Sequence, residues 1–334
     1  MSDAQPEPGA RRVPEKLLPA PTTTSPELRR SIELLAQTPL ETLQRSPSTP
    51  EQWRGMIAAS NELGRQRTAA LLGAYPAQIE TYELGGVVVR EVVPSTLDPA
   101  KAGRRLLHFH GGAYVIYGGE ASLAEAVLGA HYSRTRVISV DYRMPPDHPF
   151  PAAVDDAAAA YLALAASVDP KRIGVFGTSA GGGLLLAMTL RLKALGAPLP
   201  GALAPSTPWA DLAGESDSYR VNEGVDGVLP SYKGVLEGAA KLYAASAKLT
   251  DPLVSPVHGD FHGFPPSLLT TGTRDILLSD TVRVYRSMRA AGVEARLEAY
   301  EAMSHAEYTA APDSPECASV FGDIGRWFDA HLAS

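Results

Sequence analysis

Short apolar runs, each long enough for a strand covered on both faces, alternate with helical patterns along most of this chain, and few folds satisfy that alternation. The runs are residues 106–109, 137–140, 173–176, 202–205, 268–271 and 295–300. Helices are predicted over 121–133, 152–166, 180–195, 281–291 and 316–333. Successive strands joined through helices pair in parallel, and the crossovers cover both faces of the sheet. Upstream, residues 79–84 and 87–93 flank Gly85-Gly86, a two-residue hairpin turn that adds one antiparallel pair. The expectation is an α/β fold with a mostly parallel, mixed eight-stranded sheet and helices on both faces.

Two regions stand outside the alternation. Residues 1–24 contain Pro6, Pro8, Pro14, Pro19 and Pro21 and read as a flexible arm. Residues 25–75 then carry two helix starts, Ser25-Pro26-Glu27 and Thr49-Pro50-Glu51-Gln52, the second spaced as a capping box. These helices precede every strand, so they are expected to form a cap over the catalytic domain at 76–334. Residues 211–250 fall between two predicted strands, with a polar loop at 214–226 and a helix near 231–245, and read as a cap insertion.

The length of 334 residues suits one large α/β domain with an added subdomain. A formal net charge of −7 gives no basic footprint for nucleic acid. Cys317 is the single cysteine, which excludes an intrachain disulfide and a thiolate metal site. The start of the chain has no charged-then-apolar secretion pattern, and residues 157–167 are the longest apolar stretch, short of the roughly 20 residues of a membrane span. A cytoplasmic protein is therefore expected.

Chemistry concentrates at Gly177-Thr178-Ser179-Ala180-Gly181, a G-x-S-x-G motif between a predicted strand and a predicted helix. Glycines two residues either side of Ser179 permit a turn that exposes its hydroxyl at a helix N-terminus. A phosphate-binding turn is the competing reading, but the lysine of a P-loop and the spaced glycines of a dinucleotide site are missing. His110-Gly111-Gly112-Ala113 directly follows the strand at 106–109. Backbone N–H groups of Gly111, Gly112 and Ala113, with that of Ala180, can receive the charge that develops on a carbonyl oxygen.

A nucleophilic serine needs a base, and the base needs an orienting acid, in the chain order Ser, Asp or Glu, His. Downstream of Ser179 lie His258, His262, His305 and His331. His305 follows the strand at 295–300 within a short loop and is the candidate base. Asp275 follows the strand at 268–271 and is the candidate acid; Asp280, five residues on, is expected to cap the next helix. Tyr114, Phe150 and Trp209 are candidates for a substrate pocket or for lid packing.

These residues resemble the bacterial hormone-sensitive-lipase family of α/β-hydrolases, the family IV esterases. The resemblance is carried by His110-Gly111-Gly112-Ala113, by the block from Asp141-Tyr142-Arg143 through His148-Pro149-Phe150-Pro151-Ala152, and by Gly177-Thr178-Ser179-Ala180-Gly181-Gly182. Asp251-Pro252-Leu253-Val254-Ser255-Pro256 and Asp275-Ile276-Leu277-Leu278 add to it. It extends from about Ile79 to the C-terminus and is similar to the GTSAG branch rather than the GDSAG branch. It implies a serine carboxylesterase acting on small short- to medium-chain acyl esters without a cofactor. Lactone hydrolysis, amide hydrolysis and ligand binding without catalysis are the alternatives. Ala113 departs from the family's third glycine, which implies narrower access on the acyl side. Asp141 and Arg143 are expected to pair and brace the loop near Ser179. A homodimer through the exposed sheet edge is compatible with this reading.

Overall fold

The structure, a computed structural model, describes residues 17–37 and 45–333, together with 9–11, 13 and 15. Residues 1–8, 12, 14 and 16 of the expected arm thus lie outside the described residues, as do residues 38–44 of the N-terminal helical region. Two helices open the chain, α1 (Pro26–Leu35) and α2 (Pro50–Ala74). Then come β1 (Ala77–Leu84), β2 (Val87–Pro94), β3 (Arg105–Phe109), α3 (Leu123–Ser133) and β4 (Val137–Val140). The middle of the chain forms α4 (Ala152–Ala165), β5 (Ile173–Thr178), α5 (Ala180–Ala194) and β6 (Ala202–Ser206). After β6 lie α6 (Ser218–Val221), α7 (Val235–Ala244), β7 (Ser267–Gly272) and α8 (Leu278–Ala290). The chain ends with β8 (Ala295–Tyr300), α9 (Glu307–Ala310) and α10 (Pro315–His331).

All eight strands form one sheet in the order β1-β2-β4-β3-β5-β6-β7-β8. β1 pairs with β2, and β2 with β4, in antiparallel fashion, and the remaining pairs are parallel. The β1–β2 turn places Gly85 and Gly86 at φ +63° and +79°, values that match the twist of a two-residue hairpin. One apolar cluster gathers α4, α5 and α8 on one face of the sheet, and a second gathers α3 and α10 on the other. From β3 the chain moves outward to β4 and then returns to β5 on the other side of β3. This reversal opens a crevice beyond the carboxyl ends of β3 and β5, where α/β sheets place ligands.

Several expectations change. The strand at 295–300 forms as expected, but β8 is an edge strand, so it is only partly covered rather than buried on both faces. At α2, Gln52 N–H donates to Thr49 Oγ1 at 3.3 Å, whereas Gln52 Oε1 accepts from Ser48 N–H at 2.8 Å, one residue before the cap. Asp141 and Arg143 do not pair. Asp141 accepts from Arg90 Nη1 and from Gly119 N–H, both at 2.8 Å, while Arg143 pairs with Asp156, Nη2 to Oδ1 at 2.8 Å. The two side chains leave the strand end toward different elements, so each finds its own partner. Asp280 does not cap α8 either: Leu277 is the N-cap, and the fully buried Asp280 carboxylate accepts from Ala210 N–H at 3.0 Å and Asp211 N–H at 2.8 Å.

Candidate active site

Ser179 joins β5 to α5 at φ +60° and ψ −122°, a conformation that L-residues avoid. The glycines make it attainable. A Cβ on Gly181 would lie 1.8 Å from the carbonyl oxygen of Phe109, and one on Gly177 2.4 Å from the same atom. Ser179 N–H donates to Ser206 O at 3.0 Å, and Ser179 O accepts from Trp209 N–H at 2.9 Å. The backbone is thereby tied to the end of β6, and only the side chain faces the crevice. Just before it, Thr178 Oγ1 donates to Glu125 and lies 2.7 Å from the Tyr308 hydroxyl, which anchors the end of β5.

The loop after β3 approaches this turn from the neighbouring strand. Gly112 takes φ +107°, and a Cβ there would lie 2.4 Å from Ile116 O. Ala113 and Tyr114 follow at φ +53° and +63°. His110 stacks on Tyr142 at 4.3 Å, its Nδ1–H donates to Gly111 O at 2.7 Å, and the Tyr142 hydroxyl donates to His110 O at 2.7 Å. Burial pulls the His110 imidazole down to about 4, so it stays neutral and serves as a clamp on the loop. The N–H groups of Gly111, Gly112, Ala113 and Ala180 have no acceptor among the described residues.

The candidate acid and base follow the ends of β7 and β8. Asp275 is fully buried, and its Oδ1 lies 3.1 Å from His305 Nδ1. Leu277 N–H donates to the same oxygen at 2.8 Å, while Thr271 Oγ1 at 2.8 Å and the Thr207 hydroxyl donate to Oδ2. Burial alone would push the Asp275 carboxyl up. The adjoining His305 charge and hydrogen bonds from His305, Thr207 and Leu277 N–H outweigh burial and hold it below the usual carboxylate value. Burial opposes charge on His305 as well, but Asp275, then Asp226 and Asp280, hold the imidazole above its ordinary 6.5.

Ser179 and His305 line one cavity of about 500 Å³, with Gly111, Gly112 and Ala113 at its floor. Met56, Leu63, Gly64 and Arg67 of α2 form one wall, and Val228 to Ser231 with Val235 and Leu236 form another. Ser179 and His305 make no direct hydrogen bond among the described residues; such bonds are often loose without substrate.

Comparison with known proteins places the chain in a family. Residues 106–309 match a family described as having the alpha/beta hydrolase fold. An acetyl-hydrolase of Streptomyces hygroscopicus is 34% identical over 246 residues, 73% of this chain and 80% of that protein. An esterase of Acinetobacter venetianus is 32% identical over 253 residues, 75% of this chain and 81% of its own length. Among solved structures, the esterase E25 superposes with a TM-score of 0.93 at 38% identity, covering 97% of this chain and 99% of that one. An esterase from the bacterial hormone-sensitive lipase family superposes at 0.78 and 31% identity, covering 93% and 100%. The chain is a serine carboxylesterase of the hormone-sensitive-lipase-like α/β-hydrolase family.

In this esterase the three aromatic pocket candidates lie elsewhere. Tyr114 stacks on Tyr243 at 3.9 Å, Phe150 meets the edge of the same ring, and Trp209 packs 6.1 Å from Tyr114. Tyr114 and Trp209 are buried, and none of the three lines the cavity. Ala113 and Tyr114 take φ +53° and +63°, and here the Tyr114 ring packs into the core while Ala113 and Ile116 line the cavity. The site also holds residues that carried no signal. Thr207 follows β6 at φ +38° and touches both Asp275 and His305, its Oγ1 2.9 Å from His305 Nδ1. No spacing rule points to a threonine so far from both partners in sequence. Asp226, the last residue of the expected polar loop, also reaches the loops of Asp275 and His305.

Proposed function

We propose that this esterase hydrolyses short- to medium-chain acyl esters through Ser179, His305 and Asp275, by way of an acyl-enzyme. The observation that carries the reading is the buried Asp275–His305 contact of 3.1 Å, whose imidazole lines the same cavity as the strained Ser179. Asp275 accepts from Nδ1–H and thereby fixes the tautomer that leaves Nε2 as the base. His305 takes the Ser179 proton as the hydroxyl attacks the ester carbonyl. The oxyanion rests on N–H groups of Gly111, Gly112, Ala113 and Ala180, which are otherwise unengaged. The alcohol leaves with the proton from His305, and a water activated by the same imidazole releases the acid.

A cavity of about 500 Å³ suits a small ester better than a long-chain glyceride, and the acetyl-hydrolase named among the relatives supports a short acyl group. On this reading α1, α2 and the segment at 211–250 act as the cap that shields the acyl-enzyme. Rates on p-nitrophenyl acetate, butyrate, octanoate and palmitate test it. The expected profile falls from butyrate toward palmitate and disappears in Ser179→Ala. A profile that rises toward palmitate would contradict the chain-length assignment, and activity in Ser179→Ala would contradict the mechanism.

A further inference from the structure

Asp226 sits in the loop between α6 and α7 at 1% exposure, and its carboxylate is fully engaged. Oδ1 accepts from Val228 N–H at 2.8 Å and Leu229 N–H at 2.9 Å, which turns its own loop. Oδ2 accepts from Ile276 N–H at 2.8 Å and His305 N–H at 3.1 Å. Ile276 is the residue after the triad acid, and His305 is the base itself. The loop that Asp226 turns supplies Val228 to Ser231 to the cavity wall. Neighbouring contacts run the same way: Asn222 Nδ2 donates to Asp275 O at 2.8 Å, and Gly227 N–H donates to Ser304 Oγ at 3.1 Å.

We infer that Asp226 is a positioning residue, which holds the backbone at His305 and beside Asp275 in register with the substrate-facing wall at 228–231 and adds a second negative charge behind the imidazole. The inference rests on Ser179, Asp275 and His305 being the triad. An amide could not replace this carboxylate. All the incoming groups are N–H donors, and an Asn side chain would turn an NH₂ toward two of them. The charge matters as well as the shape. Burial and the Asp275 charge push the Asp226 carboxyl up to about 7, against the pull of His305 and the backbone N–H groups. Asp226 in turn is among the charges that raise His305, after Asp275. The other charged groups nearby include Asp280 at the start of α8, Glu307, whose carboxylate accepts from Ser304 N–H at 2.9 Å, and Arg274 and Glu33 around a neighbouring cavity that Asp226 also borders.

Removing the Asp226 charge removes one influence that raises His305. Asp226 carries its charge from about pH 7 upward, so in that range the acid limb of kcat/KM is expected to move to lower pH, which a loop tie without electrostatic reach would not cause. The experiment compares wild type, Asp226→Asn, Asp226→Glu and Ser179→Ala on p-nitrophenyl butyrate between pH 5 and 9. Rates are normalised to sites titrated with diethyl p-nitrophenyl phosphate, and circular dichroism checks folding. Asp226→Asn is expected to lose about 10- to 100-fold in kcat per titrated site, with KM within about threefold, and its acid limb shifts down. Asp226→Glu keeps the charge and is expected to return the limb to the wild-type position. Wild-type kcat per site with an unmoved limb in Asp226→Asn would overturn the inference, even with Ser179→Ala inactive. Turnover by Ser179→Ala would instead overturn the reading of the site on which the inference rests.

Discussion

The two halves of the site are built in different ways. The proposed nucleophile half is a backbone device: Ser179 is held by close approach of chain to chain at Gly177 and Gly181, and the proposed oxyanion loop by left-handed residues at Gly112 and Ala113. The acid–base half is a side-chain device. Asp275 is fixed by donors from Thr207, Thr271, Leu277 and His305, and Asp226 ties the same loops from behind. Disturbing the first half should damage fold and activity together. Disturbing the second should remove activity while the fold survives.

Asp275→Asn gives the largest separation of the two effects. It leaves the volume nearly unchanged but removes the negative charge that stabilises the imidazolium, and kcat is expected to fall by about 10³- to 10⁴-fold. The hydroxyls of Thr207 and Thr271 can reorient toward an amide, so stability is expected to change by only about 1 kcal/mol in urea denaturation. Loss of folding instead would erase the distinction drawn here. Gly181→Ala tests the other half. Its Cβ would sit 1.8 Å from Phe109 O, an approach that only backbone movement relieves. A stability loss of about 3 kcal/mol or more, together with activity, is expected from the same denaturation series. A fully stable but slow Gly181→Ala would show that the turn has more freedom than its contacts imply.

This division also explains what could be read from the sequence. Backbone devices leave glycines at fixed spacing, so Ser179, the loop from Gly111 to Ala113 and their flanking strands were legible. Asp275 and His305 were legible because chain order and strand ends restrict where an acid and a base can emerge. The carboxylate network was not. Thr207 reaches Asp275 and His305, and Asp226 reaches Ile276 and His305, across many residues of chain, and their neighbours in sequence give no sign of it. Asp280 misled for the same reason: its place in the first turn of α8 suggested a cap, yet its carboxylate is drawn to the backbone at Ala210 and Asp211. Tyr114 and Trp209 looked like pocket residues by type and position, and only the packing of Tyr114 on Tyr243 and of Trp209 beside Tyr114 in the core shows that both rings turn inward.

The smallest effect concerns Ala113, where an L-side chain occupies φ +53°. Ala113→Gly removes the left-handed strain but adds chain entropy to the unfolded state, so stability is expected to shift by less than about 1 kcal/mol. Because the proposed donor is the backbone N–H, kcat on p-nitrophenyl acetate should stay within about threefold of wild type. The rate on p-nitrophenyl octanoate should rise relative to acetate as the floor of the cavity opens. An unchanged octanoate-to-acetate ratio would show that Ala113 does not limit the acyl side.

The most direct test of the central claim is intact-mass and peptide mapping after reaction with diethyl p-nitrophenyl phosphate. The account predicts a single diethylphosphoryl adduct on the peptide containing Ser179, none in Ser179→Ala, and much slower labelling in His305→Ala. A label on any other residue, or equal labelling of Ser179→Ala, would contradict it.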